Sequence, residues 1–226
     1  MGIDRGKLAL KAFVKFAMGA VALGALLFLS AGSWGYYGAW RLLLLLFIPM
    51  FILGVVLLIS APELLVKRLE AKERRGAQSG VVKLSALMFI AAFVVAGLDF
   101  RFGWSCVGGG VIYVASVFFL ISYALYGEVM RENEWLARTV EVVDGQQVVS
   151  TGLYGIVRHP MYAVTIVIFL AMPLILGSWW AFAVLLLYIP LIVIRVLDEE
   201  RLLRAELDGY SDYCERVRWR LVPFIW

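Results

Sequence analysis

Residues 146–162 read Q-Q-V-V-S-T-G-L-Y-G-I-V-R-H-P-M-Y, and how they are understood decides how the rest of the chain is understood. The stretch is polar and turn-rich inside a chain that is otherwise mostly apolar. It holds the single histidine, His159, between Arg158 and Pro160, and a new apolar run opens at Met161. A second polar patch, Arg195, Asp198, Glu199 and Glu200, follows after two further apolar runs. One out-and-back pair of helices separates the patches, so both are expected at the same membrane surface, where they form one site.

The composition supports a membrane setting. Apolar residues make up 63% of the 226 and charged residues 17%, against roughly 45–50% and about 25% in soluble domains. Mean hydropathy is +0.88. The net charge of +4 fits cations gathered on cytoplasmic loops. Nucleic-acid binding is not expected, because no basic stripe interleaved with exposed aromatics lies outside the apolar runs. Cys106 and Cys214 are too few for a disulfide framework and lack metal-ligand spacing. No metal site and no obligate protein partner are expected.

The fold class expected is all-α: a polytopic membrane helix bundle of about six spans with a cytosolic C-terminal helix. Apolar runs fall at 13–29, 40–60, 84–98, 107–126, 161–176 and 179–197. The charged loop 62–83 has the pattern of an amphipathic surface helix, with Gly76–Gly80 as a break. Gly108–Gly110 suits close helix packing. The fourth helix is expected to run out to about Trp135, and V-E-V-V-D-G-Q-Q-V-V (140–149) to form an extended segment or hairpin. The pattern from Asp198 to Tyr213 is helical. With both ends in the cytoplasm, every Lys and Arg except Arg41 and Arg101 falls on the inner side, so N-in and C-in in the cell (inner) membrane is the expected topology. The chain divides into 1–139, the first helices and a cytosolic loop, and 140–226, where every candidate for chemistry lies.

Several of those candidates carry two readings. Arg195 and Glu199 are four apart and share a helix face. A charge at the end of an apolar run is costly unless paired, so Arg195 either pairs with Glu199 for structure or binds an anion, leaving Glu199 to accept hydrogen bonds from a ligand. His159 stands just before a proline suited to the first turn of a helix; it is structural, caps that helix, or donates to a ligand. Gly152 and Gly155 bracket Tyr154 in a turn or at a close ligand approach. Tyr154 and Tyr162 either flank an adenine or belong to the interfacial belt. Ser150 has no nucleophile elbow around it, so a hydrolase is disfavoured.

The combination G-L-Y-G-I-V-R-H-P-M-Y, the turn G-S-W-W, R-V-L-D-E-E-R-L-L and G-Y-x-x-Y resembles the isoprenylcysteine carboxyl methyltransferase family. That family sits in a wider group with phospholipid N-methyltransferases and, more distantly, membrane sterol reductases. The resemblance covers about 140–226. It implies an integral-membrane methyltransferase that uses S-adenosyl-L-methionine from the cytosolic side. It places the cofactor on Gln146, Gln147, Val148, Val149, Tyr154, His159, Pro160, Met161, Tyr162 and Glu199, and the substrate on Arg195, with Arg195 and Glu199 as the catalytic pair. One position departs from the pattern: Val164 stands where the family often has glycine. The implied acceptor is a lipid-like or prenylated carboxylate entering from the membrane lipids. A phospholipid amine, an NADPH-dependent reductase of the sterol type and a non-catalytic scaffold are the alternatives.

Overall fold

A computed structural model describes residues 4–70, 76–133, 135, 142 and 145–226. Among them the chain is all helix and turn, with no strand. In chain order the helices are α1 (Arg5–Ala31), α2 (Tyr37–Ser60), α3 (Pro62–Glu70), α4 (Gly76–Phe102), α5 (Gly109–Glu132), α6 (Pro160–Leu176), α7 (Trp179–Leu185), α8 (Tyr188–Glu206) and α9 (Tyr210–Arg216), with a single 3-10 turn at Gly152–Gly155.

Five segments are long and apolar enough to cross a bilayer: α1, α2, Val82–Phe102 of α4, α5, and α7 with α8. The 17 residues of α6 are also apolar and reach about 25 Å at 1.5 Å per residue, short of a hydrocarbon core of about 30 Å. The chain is thus a multi-pass membrane bundle. Most of each apolar window faces outward, as expected where lipid rather than water is the solvent.

Helix ends follow local chemistry. Asp4 caps α1, its Oδ1 accepting from Gly6 N–H and Lys7 N–H at 3.1 and 3.2 Å. Pro49 stays inside an unbroken α2. The apolar run 179–197 is not one helix, however. It breaks at Leu186–Leu187, where the N–H groups of Leu187 and Ile189 turn to carbonyls three residues back. Pro190 explains the break: its ring crowds the carbonyl four residues earlier, that of Leu186, and it brings no N–H.

Close packing occurs where side chains are small, but not at the expected glycines. A Cβ at Gly97 would lie 1.9 Å from Ser30 Oγ, so α4 crosses α1 there at backbone distance. Around Gly108–Gly110 the space is open, and Gly108 is the N-cap of α5. The Gly76–Gly80 stretch is helical rather than a break, because it opens α4. The fourth crossing helix stops at Glu132, three residues before Trp135, as Asn133 turns extended. Thr139–Glu141, Val143 and Asp144 lie outside the described residues; 145–150 is neither helix nor strand. The charged C-terminal pattern is divided by Gly209, whose φ of +80° lets the chain turn between α8 and α9.

The α6–α7 hairpin is held at its tip by a buried carboxylate. Asp99, near the end of α4, is 1% exposed. Its Oδ1 accepts from Ser105 N–H at 2.7 Å, and its Oδ2 accepts from Ser105 Oγ at 2.6 Å and Ser178 Oγ at 2.5 Å. Ser178 Oγ also accepts from Ala181 N–H at 3.0 Å, capping α7. With its tip fixed there, the hairpin brings the start of α6 and the second half of α8 together at the opposite end of the bundle.

Candidate functional site

Pro160 begins α6, and the backbone just before it is held by the C-terminal tail. Arg158 N–H donates to the Trp219 carbonyl at 2.8 Å, and His159 N–H to the Arg220 carbonyl at 2.9 Å. His159 occupies the N-cap position, yet its ring makes no capping bond. The ring lies between two consecutive carboxylates, with Nε2 3.4 Å from Glu200 Oε1 and Nδ1 3.9 Å from Glu199 Oε1.

The two glutamates differ in their surroundings. Glu200 is enclosed: Arg158 Nε donates to its Oε1 at 2.7 Å and Arg220 Nε to its Oε2 at 3.0 Å. Arg158 Nη1 reaches the carbonyls of Val217 and Arg218, both at 2.9 Å. This buried, multiply bonded charge cluster joins α6, α8 and the tail. Removing one member of such a cluster leaves an uncompensated charge. Glu199 remains one-quarter exposed. Its Oε2 accepts from Tyr162 Oη at 2.5 Å, and that Oη accepts from Arg195 Nε at 2.9 Å. A tyrosine hydroxyl thus bridges Arg195 and Glu199, and the Arg195 guanidinium lies 5.8 Å from the centre of the Tyr162 ring.

The opposite wall comes from the loop that precedes α6. Tyr154 sits in the 3-10 turn, its Oη accepting from Asn133 Nδ2 at 2.9 Å and its carbonyl from Tyr213 Oη at 2.7 Å. Burial pushes the Tyr154 phenol up to about 12; the Asn133 amide pulls it down in part, and the Glu199 charge pushes it further up. Glycine suits position 152. Its φ is +49°, and a Cβ there would fall 1.8 Å from Glu132 Oε1. Glu132 Oε2 accepts from Leu153 N–H at 3.0 Å, so the end of α5 clamps the turn.

These walls enclose a cleft of about 840 Å³ including its open mouth. Gln146, Gln147, Val148, Val149, Tyr154, His159, Met161 and Tyr162 line one part of it, Arg195 and Glu199 the other. The structure therefore brings both polar patches of the sequence to one cleft. Pro160 alone of the expected residues is not on the lining; it stands behind as the first residue of α6.

Sequence reasoning missed other parts of the lining. Asn133, Leu203, Tyr210 and Tyr213 also face the cleft. G-Y-x-x-Y marked both tyrosines, and Leu203 lies one helical turn beyond Glu199. Nothing in the sequence marked Asn133 or the Arg220–Glu200 pairing, which arise from chain segments far apart.

Residues 102–207 match the family model described as phospholipid methyltransferase. A stretch of 91 residues is 30% identical to the Delta(14)-sterol reductase TM7SF2 of Mus musculus; it covers 39% of this chain and 22% of that protein. The chain therefore spans only a minor part of the length of this curated relative.

Proposed function

We propose that this chain is an integral-membrane methyltransferase that binds S-adenosylmethionine in the cleft and accepts a lipid-like or lipidated substrate from the bilayer. One observation carries the reading: two polar patches, separated by a membrane hairpin, converge on one cleft, with Tyr162 Oη bridging Arg195 and Glu199. The family match over 102–207 supports it, since that range takes in His159, Tyr162, Arg195 and Glu199.

The residues present fit the cofactor. Glu199, partly exposed beside the cleft, accepts hydrogen bonds from ribose or amine groups. The non-helical backbone of 146–149 and the rings of Tyr154 and Tyr162 offer a polar edge and flat faces. Among the described residues the buried Tyr210 hydroxyl has no oxygen or nitrogen partner and lies against the Cys214 thiol. S-adenosylmethionine supplies an electrophilic methyl group on a sulfonium, so the protein's task is to hold the acceptor in line and exclude water. A carboxylate acceptor is ionised at neutral pH and needs no base; Arg195 orients it while Tyr162 keeps the guanidinium from collapsing onto Glu199. For an amine acceptor the base is Glu199, because Glu200 is fully engaged by Arg158 and Arg220.

The sterol reductase similarity favours one second reading, an NADPH-dependent membrane reductase. Thermal shift of the purified protein in lipid nanodiscs separates the two. Stabilisation by S-adenosylhomocysteine, together with radiolabelled methyl transfer in native membranes, is the expected result. Stabilisation by NADPH alone would reverse the assignment.

A further inference from the structure

Arg68 lies on α3, outside the matched range 102–207 and away from both sequence patches. Helix α3 crosses the end of the bundle, with Leu64 and Leu65 buried against α1, α2 and α5. Lys15 Nζ of α1 donates to the Leu69 carbonyl and fixes the end of α3. This placement turns Arg68 inward. Its Nη1 donates to Tyr126 Oη at 3.0 Å, and its guanidinium lies 5.6 Å from the centre of the Tyr126 ring. The other donors, Nε and Nη2, are buried without a partner among the described residues.

The described carboxylates at this end of α5 are engaged elsewhere. Glu128 takes Arg131 at 2.6 and 2.8 Å, and Glu132 takes Leu153 N–H. Guanidinium donors left in a low-dielectric setting are strongly unfavourable unless an anion meets them. A planar fork of donors matches phosphate and carboxylate oxygens.

Arg68 also stands close to the cleft. Tyr126 lies in the last two turns of α5 and Asn133 is the extended residue that follows its end, seven positions on and about 10 Å along the axis. Asn133 lines the cleft and holds Tyr154. The Arg68 charge is felt at the Tyr154 phenol, which it lowers. The guanidinium therefore sits on the membrane side of the cleft, where an amphipathic acceptor would lie between its apolar tail and its reacting end.

We propose that Arg68 and Tyr126 form an anion subsite that holds a phosphate or carboxylate oxygen group of the lipid-like acceptor, distinct from the Arg195–Tyr162–Glu199 bridge. This assignment rests on the methyltransferase reading for the word acceptor, but the anion subsite can be tested without it. Arg68 holds the acceptor along its length, and Arg195 holds it at the reacting end.

The test is native mass spectrometry of the purified full chain, incubated separately with dioleoyl phosphatidic acid, with oleate and with neutral dioleoylglycerol. Wild type is expected to retain at least one anionic lipid about tenfold better than the neutral one. Arg68→Gln is expected to abolish that preference, Arg68→Lys to restore part of it, and Tyr126→Phe to weaken it. S-adenosylhomocysteine binding is expected to be unchanged by Arg68→Gln. Preference for phosphatidic acid assigns a phosphate, and preference for oleate a carboxylate. Unchanged preference in Arg68→Gln overturns the subsite, even if melting temperature falls, because a guanidinium paired within the chain gives that pattern. An Arg68-dependent preference in a protein that binds no S-adenosylhomocysteine leaves the subsite standing and removes the methyltransferase reading.

Discussion

Tyr162 is the side chain through which Arg195 and Glu199 meet. Tyr162→Phe keeps the ring and deletes the oxygen shared by Arg195 and Glu199. S-adenosylhomocysteine affinity in nanodiscs is expected to fall about tenfold, or ~1.4 kcal/mol, with little change in melting temperature; unaltered affinity by calorimetry would count against the bridge. The consecutive glutamates give a contrasting pair. Glu200→Ala leaves Arg158 without its buried partner and is expected to destabilise by about 3–5 kcal/mol. Glu199→Ala is expected to abolish ligand binding at a much smaller cost in thermal stability. Equal effects of the two on stability would mean that the division of roles is wrong. Tyr154 adds a pH signature. Its folded phenol titrates near 12 against an ordinary 10, so the folded state holds the proton longer than the unfolded one. The associated stability is complete below pH 10 and is lost as pH rises from 10 towards 12, by about 2–3 kcal/mol. Tyr154→Phe should flatten that slope in melting curves without abolishing it, since burial also raises Tyr213.

At the scale of elements, the 3-10 turn Gly152–Gly155 offers the sharpest test. A methyl group at 152 collides with the Glu132 carboxylate and is strained at positive φ. Gly152→Ala is expected to cost about 1–3 kcal/mol and to weaken ligand binding, because Tyr154 moves with the turn. Binding equal to wild type would show that the clamp is not needed. The same turn shows what was legible beforehand. Its glycines, its tyrosine and the R-H-P step are local signals, and Tyr154, Arg158 and His159 among them line one cleft. Glu132, which fixes the turn, gave none, because its role depends on where α5 ends. Prolines teach a similar lesson. Pro49 and Pro190 look alike within apolar runs, yet only the second accompanies a helix break. The glycine triplet at 108–110 promised close packing, while the actual close approach is at Gly97, chosen by the partner it meets. Apolar periodicity located the helices, but which face meets which neighbour is a property of the assembled bundle.

At the scale of the whole molecule, the distribution of Lys and Arg predicts that the cleft faces the cytoplasm. Cys106, exposed in the loop between α4 and α5, reports on this. Membrane-impermeant maleimide is expected to label Cys106 in intact cells, and labelling only after permeabilisation would invert the topology. Cys214 is buried beside the cleft, and burial raises its thiol pKa, so it should react little in the folded protein.

The carbonyls of residues 217–220, which receive Arg158 and the His159 amide, imply an order of events during synthesis. By the time they leave the ribosome, every apolar helix has already been made. Until then the His159 amide lacks its acceptor, and Arg158 lacks three of its four hydrogen bonds. A released chain truncated after residue 216 should therefore be inserted in the bilayer yet remain open to protease near residue 158, and closure should need residues 217–220. Equal resistance of the truncated chain and the 226-residue chain would show that the loop before α6 holds itself.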